Sequence, residues 1–479
     1  MAIKKYYASS DTTITNAFKA NLTTRGVSGN MGQSDILEVF SLFAQANSSS
    51  SELSRILIKF PIDQIIQDRA SSLVPVSGSV SWYLRLYNAK HSSTLPKDFT
   101  LTVSAVSRSW DEGYGLDMEE YSDNGYANWN SAASSSDSGV TNWTTSGGDY
   151  HTTPTSSQYF SNGTEDLLVD VSNIVEQWIA GTKTNYGFGI KLTSSQEQAS
   201  QSFYTKRFFA RGTQFFFKRP TLEARWNSAR RDNRGYFYAS SSLASSTENL
   251  NTIYLYNVVR GRLANIPAIG TGNIYVKIYD DPSGSNTITA TPNNPVTGGW
   301  VSTGIYSASF ALNTTASEVF DRWFNSTLTT CFHTGAIDVY SLDSQDYNPT
   351  NTYVVSCTNI KSSYYSEEQA RFRFFVRKKD WQPTIYNVAT NFIPSEIIES
   401  ASYKIVRVSD NLEAIPYGTG SLMHTALSYD VSGSYFDLDM NILEPDYSYQ
   451  IKLTFYDGVT NSWKEQPDTF KFRVEKNEY

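Results

Sequence analysis

Two cysteines in 479 residues are too few for a disulfide framework. Cys331 and Cys357 lie a strand and a turn apart, near enough to pair, but their number favours free, buried thiols. Histidine is almost as scarce. His91, His151, His333 and His424 are dispersed, and none stands three or four positions from another His or from a Cys, which excludes a zinc site of ordinary spacing. No apolar run approaches the roughly 18 residues of a membrane-spanning helix. The opening Met1-Ala2-Ile3-Lys4-Lys5-Tyr6 turns polar at once and lacks the apolar core of a signal peptide. The expectation is a protein kept in a cytosol until something other than secretion carries it outside. There is no Gly-x-Ser-x-Gly elbow and no Gly-x-x-x-x-Gly-Lys-Ser/Thr loop, which removes the commonest hydrolase and nucleotide signals. No short-period repeat is present, which argues against a solenoid or propeller. Positive charge is also in deficit. A formal net charge of -8 argues against nucleic acid as a partner, because phosphate binding draws on surplus Lys and Arg. The basic runs Arg230-Arg231-Asp232-Asn233-Arg234 and Arg377-Lys378-Lys379 read as solvated turns or interface anchors ahead of nucleic-acid sites.

What is abundant points to strands. Aromatic residues make up 14%, with 32 Tyr against 5 Met, and polar turn formers are dense. That balance suits pleated, half-buried surfaces. Val80, Trp82, Leu84 and Leu86 alternate with polar or amphipathic neighbours, as do Phe99, Leu101 and Val103, then Ile274, Val276 and Ile278, and later Ile451, Leu453 and Phe455. The fold class expected is all-β: tandem antiparallel sandwiches with one or two short helices. One helix is clearly written. Val171, Ile174, Val175, Trp178 and Ile179 form an apolar stripe, with Ser172 as N-cap and Gly181 at the C′ position. Trp178 is its largest core side chain. A second helix is expected at Ser317 to Phe324. The length suits two to four domains, and breaks in pattern near 227 and 381 divide the chain into modules 1–227, 228–381 and 382–479. Both junctions lack a long Gly/Ser linker, so the modules are expected to pack on one another.

In residues 1–227 the order of signals resembles the DNRLRE-type β-sandwich, a module related to some carbohydrate-binding modules. The matching stretches are Ala8 to Ile14, Gly32 to Val39, Ser54 to Phe60, Ser109-Trp110-Asp111-Glu112-Gly113, and Asp170 through Gly181 to Phe188. The resemblance implies a jelly-roll-like sandwich whose surface binds polysaccharide, without catalysis. The sequence departs from it where Asp63 to Ser72 and Ala132 to Ser156 lengthen the connections. Near the C-terminus, Leu443-Glu444-Pro445-Asp446-Tyr447-Ser448-Tyr449 is similar to the Leu-x-Pro-x-x-x-Tyr approach to a late strand in fibronectin type III and other immunoglobulin-like sandwiches. The resemblance makes Tyr449 the corner tyrosine whose hydroxyl satisfies backbone groups. The middle module has the strand content for a similar sandwich.

The best candidate for a site is the acidic loop with Asp111, Glu112, Asp117, Glu119, Glu120 and Asp123. Three readings stay open: a solvated loop, a calcium site built on Asp111, Glu112, Asp117 and Asp123 without EF-hand spacing, or a glycosidase pair, which needs two carboxyls about 5 to 10 Å apart. Trp110, Trp129 and Trp143, with Tyr114, Tyr121 and Tyr126, flank this loop. Aromatic faces stack on sugar rings, so Trp129, Tyr114, Tyr121 and Tyr126 are the candidate glycan-binding residues, while Trp110 and Trp143 read as core plugs under long loops. The stretch Asn130 to Ser156 reads as a long polar loop. No catalytic residue is assigned, and no cofactor beyond the calcium candidate. In style the whole chain resembles virion structural proteins of tailed phages. The function expected is a non-enzymatic adaptor or decoration protein of tail, neck or baseplate, assembled in the host cytoplasm with other virion proteins. The alternatives are a capsid-surface decoration protein and a binder of a cell-surface polysaccharide.

Overall fold

The computed structural model describes residues 2–122, 125–134, 139–340, 353–383, 385, 395–458 and 460–477. The protein is all-β, built from antiparallel sandwiches in tandem, and its contacts separate two compact units, Met1–Asn227 and Ser228–Tyr479.

In the first unit a four-stranded sheet faces a seven-stranded one. The smaller orders its strands Ile3–Tyr7, Thr221–Arg225, Ser81–Leu86 and Leu167–Asp170. The larger runs Phe203–Phe209, Ile36–Phe43, Ser51–Lys59, Phe188–Leu192, Phe99–Val106 and Tyr150–Phe160, with Ser10–Thr15 paired on Ser51–Lys59. Period-2 alternation sends Trp82, Leu84, Leu86, Leu101, Val103, Ile56 and Ile58 into one shared core, while Thr102, Lys191 and Arg55 point the other way. The helix Ser172–Ile179 lays Ile174, Val175 and Trp178 on that core, and Gly181 takes the left-handed φ of 70° that a C′ residue needs. Its N-cap is Val171 rather than Ser172. Ser172 is already helical, and its Oγ instead accepts the backbone N–H of Trp82 at 2.8 Å, tying helix to sheet. The lengthened connection Asp63 to Ser72 is mostly a second helix, Ile62–Ala70, and Ser194–Glu197 forms a further short one.

One loop reading needs correction here. Asn130 to Ser156 is not one structureless loop. Tyr150–Phe160 pairs along Phe99–Val106, and Ser131–Ala133 pairs with Thr141–Asn142. The strand Tyr150–Phe160 buries only its last residue, Phe160, and its otherwise polar alternation hid it from hydrophobic periodicity.

In the second unit, a nine-stranded sheet surrounds a cluster that includes Phe237, Tyr306, Phe310 and Trp323. The helix expected at Ser317 to Phe324 is a strand, Glu318–Phe324, whose Val319, Asp321 and Trp323 face inward at 0% exposure. The inward charge of Asp321 broke the apolar alternation and made the segment read as a helix. Cys331 and Cys357 are free, and Cys331 is exposed rather than buried. The last sandwich stacks Tyr353–Cys357, Gln369–Lys378, Gly433–Asp439 and Ser428–Asp430 against a five-stranded sheet containing Ser462–Glu475, Ser448–Asp457 and Ala401–Arg407. The boundary expected near 381 thus falls inside this sandwich, because Gln369–Lys378 is paired with Gly433–Asp439. Tyr449 is 1% exposed and donates its hydroxyl to the Glu444 carbonyl at 2.8 Å, the tyrosine-corner geometry of immunoglobulin-like sandwiches.

The basic run 230–234 joins the two sandwiches of this unit. Arg230 N–H donates to Ser428 Oγ at 2.6 Å and its carbonyl accepts from Tyr429 N–H at 3.1 Å, while Asp232 N–H donates to the Tyr429 carbonyl at 2.9 Å. The Asn233 side chain donates to the Tyr429 hydroxyl at 3.2 Å and accepts from Thr252 N–H at 3.0 Å. Arg234 then forks onto buried Asp321 at 2.5 and 2.8 Å. One short segment is therefore bonded to strands of both sandwiches. Limited proteolysis of the full chain is expected to spare 228–236, because a protease needs a backbone free to leave such bonds. Early cleavage there would contradict this joint.

Candidate functional site

The acidic loop is held by neighbours that lie far away in sequence. Asn30 donates to the carbonyls of Glu112 and Ala127 at 2.9 and 3.0 Å and accepts Gly115 N–H at 2.7 Å. Glu112 takes a fork from Arg211, at 3.0 and 2.6 Å, and the N–H of Asp11 at 2.7 Å. Asp117 caps the N–H groups of Glu119 and Glu120 at 2.9 and 2.8 Å. Asp111 is exposed, and Asp123 lies outside the described residues. Of the four carboxylates considered for calcium, two are therefore engaged in holding the loop's shape. Among the described residues no group of three or more His, Cys, Asp or Glu is placed to hold a metal ion.

The aromatic residues separate into two kinds. Trp110, Trp129 and Trp143 are 6, 7 and 5% exposed and form a second core with Ile14, Leu57 and Val106. The Trp110 and Trp143 indoles donate to the carbonyls of Tyr186 and Asn128 at 2.7 and 2.9 Å. Trp129, considered for sugar stacking, has instead the Arg55 guanidinium 5.2 Å from its ring centre and shows no open face. Tyr114 and Tyr121 are exposed, and Tyr126 is half-buried against Tyr114, edge-on at 5.5 Å.

Asp11, beneath this loop, is 1% exposed and accepts Arg211 N–H at 2.6 Å. Burial pushes its carboxyl up to about 7, against the pull of the Arg211 amide. A raised carboxyl stabilises the fold most below its unfolded value of 3.8, and that contribution is lost as pH rises through about 7. Asp11→Asn stays neutral throughout. In thermal melts of the 1–227 fragment its stability relative to the parent is expected to grow from about pH 4 to about pH 7 and then level off. A pH-independent difference would contradict the assignment.

A different surface of the first unit forms a groove of about 710 Å³ on the outer side of the seven-stranded sheet. Thr102, Ser104 and Thr155 supply hydroxyls, and Arg55, Arg108, Asp149 and Lys191 supply charge. Arg55 is fixed by a fork to Glu197 at 2.9 and 2.7 Å and by the Gly147 carbonyl at 2.8 Å. Arg108 holds Asp149 at 2.8 Å and Thr144 Oγ1 at 2.9 Å. Asp149 also accepts N–H groups of Thr144 and Thr145, and these bonds outweigh burial to hold its carboxyl below the usual range. Lys191 Nζ lies 5.0 Å from the Tyr150 ring centre and has no hydrogen bond or ion pair among the described residues. Burial, then the charge of Arg55, lowers its pKa. The groove offers hydroxyls, one available ammonium and oriented guanidinium edges. The Asp149 carboxylate, already locked by amides, is a poor proton shuttle. None of these groove residues stood out in the sequence, because they come from four separated segments; the outward polar alternation of Thr102 and Ser104 was the one local signal.

No family model matches the sequence, and no curated protein matches it. Among solved structures, a chimeric titin Z1Z2 tandem functionalised with an exogenous peptide from fibronectin is similar over 50% of this chain and 93% of its own length, at 12% identity and a TM-score of 0.15. Among the described residues no helix is long and apolar enough to cross a membrane.

Proposed function

We propose that this chain is a non-enzymatic structural protein of a tailed-phage particle, an adaptor or decoration protein of the tail, neck or baseplate. The observation that carries the reading is the joint at 230–234, where one segment is hydrogen-bonded into two sandwiches at once. A joint of that kind sets orientation, which an adaptor needs, and gives up reach, which a tethered binding module needs. The buried charges support the same reading, since Glu112, Glu197 and Asp321 are each forked by an arginine rather than poised toward a cleft. Immunogold labelling of intact particles with antibodies to this chain is expected to decorate one position on the tail apparatus. Absence of label from particles that contain their full set of other proteins would overturn the proposal.

The groove of the first unit favours a second activity within that role, retention of a cell-surface polysaccharide. Hydroxyl-lined, charged recesses bind polyhydroxylated chains by many modest hydrogen bonds. Purified protein is expected to be retarded on polysaccharide affinity gels, and Lys191→Ala is expected to abolish the retardation. Retardation unchanged in that variant would place the sugar elsewhere.

A further inference from the structure

A hairpin of the second unit presents an apolar, basic surface that no described residue covers. Val258–Val259 pairs with Arg262–Leu263, so that Val258 lies opposite Leu263 and Val259 opposite Arg262. Val258, Val259 and Leu263 are 56, 52 and 42% exposed. The turn carries Arg260 at φ 51° and Gly261 at φ 80°, the two left-handed positions of a tight hairpin, where Asn, Asp or Gly is the least strained choice for the first. An arginine in that place projects charge from the tip. Neither Arg260 nor Arg262 has an ion pair or hydrogen-bonded partner among the described residues. The hairpin is held firmly at its base. Asn257 exchanges backbone bonds with Gly304 and Ala264 at 2.8 and 3.1 Å, and its side chain donates to the Ala264 carbonyl at 2.6 Å. Asn265 accepts Gly304 N–H at 2.7 Å and the indole of half-exposed Trp300 at 3.1 Å. A short, braced hairpin with an apolar side and unpaired cations is the form of a docking element, because little ordering entropy remains to be lost on contact.

The first unit carries a surface of opposite charge and the same apolar character. Tyr114, Leu116 and Tyr121 are 74, 50 and 40% exposed. Between them stand the exposed Asp117, Glu119 and Glu120; the Glu119 carboxylate accepts Ala20 N–H at 2.6 Å and its carbonyl accepts from Lys19 at 2.6 Å, which leaves Glu120 as the outward charge. The Asn30 brackets and the Asp117 cap fix this loop as Asn257 and Asn265 fix the hairpin.

We propose that hairpin 258–263 of one chain docks on the acidic, aromatic loop 114–121 of a second copy. The apolar side chains meet at the centre, with arginines and carboxylates around them. Such a contact joins two different surfaces, so each copy keeps one free donor and one free acceptor surface, and association proceeds head to tail into rings or filaments. The patches are small, so the contact is weak between free copies and gains strength where a particle holds many copies together.

Charge reversal tests this in the full-length chain. Sedimentation at rising concentration is expected to show a mass increase for the parent that high salt suppresses. Arg260→Glu with Arg262→Glu, and separately Glu120→Lys, are each expected to weaken association on the order of tenfold with melting unchanged. An equimolar mixture of the two variants restores it, since each then offers what the other lacks. A parent that stays monomeric at every concentration overturns the proposal, as does association that persists in both variants or a mixture that fails to recover. A monomeric parent that floats with anionic lipid vesicles, and loses this with the arginine variant, also overturns it and assigns the hairpin to a membrane surface.

Discussion

Arg234→Met is expected to destabilise the second unit by about 3 to 5 kcal/mol in urea unfolding, because it leaves the carboxylate of Asp321 buried and unpaired. Asp321 has 0% exposure and shares its oxygens between the Arg234 fork and the Trp323 indole, which donates at 2.5 Å. Burial by itself raises the Asp321 carboxyl, and Arg234 outweighs burial to bring it below the usual range. The parent therefore keeps this stabilisation above the ordinary carboxylate pKa and loses it as pH falls through the lowered folded value. In the variant the carboxyl, freed of its cation, takes up a proton as pH falls. The gap between parent and variant should narrow in acid, and adding Asp321→Asn to Arg234→Met should recover part of it at neutral pH. A gap that stays constant with pH would point to lost packing of the arginine stem instead.

Trp178→Ala is expected to cost the 1–227 fragment about 3 to 5 kcal/mol. Trp178 is 4% exposed, its ring centre lies 4.6 Å from that of Phe188, and Phe188 in turn meets Phe60 edge-on at 6.1 Å. Its indole nitrogen makes no hydrogen bond among the described residues, so the loss is one of packing alone. Trp178→Phe should therefore keep most of the stability. Equal losses in the two variants would show that the indole nitrogen, rather than the ring's bulk, matters.

The features legible in the sequence were those whose causes are local. The stripe from Val171 to Ile179 is a helix because its spacing matches one face, and Tyr449 is a corner because the residues that place its hydroxyl precede it by only five positions. The strands from Val80 to Leu86 and Phe99 to Val103 were readable for the same reason. What failed depends on partners distant in the chain. Glu318–Phe324 hides its strand character behind Asp321, whose inward charge makes sense only once Arg234 is beside it. The module boundary placed near 381 follows a local break at Trp381-Gln382-Pro383, whereas the sheet is decided by pairing of Gln369–Lys378 with a strand beyond that break. The acidic loop was found by composition, but the roles of Glu112 and Trp129 were settled by Arg211 and Arg55, which no spacing connects to them.

The role proposed for this chain is that of a fixed component of a virus particle. Quantitative mass spectrometry of gradient-purified particles tests it directly, by comparing peptides of this chain with those of the other particle proteins across the gradient. The expected result is a constant ratio through the particle peak that survives a high-salt wash, as a built-in component would. Peptides found only in the soluble fraction, with none following the particles, would contradict the account.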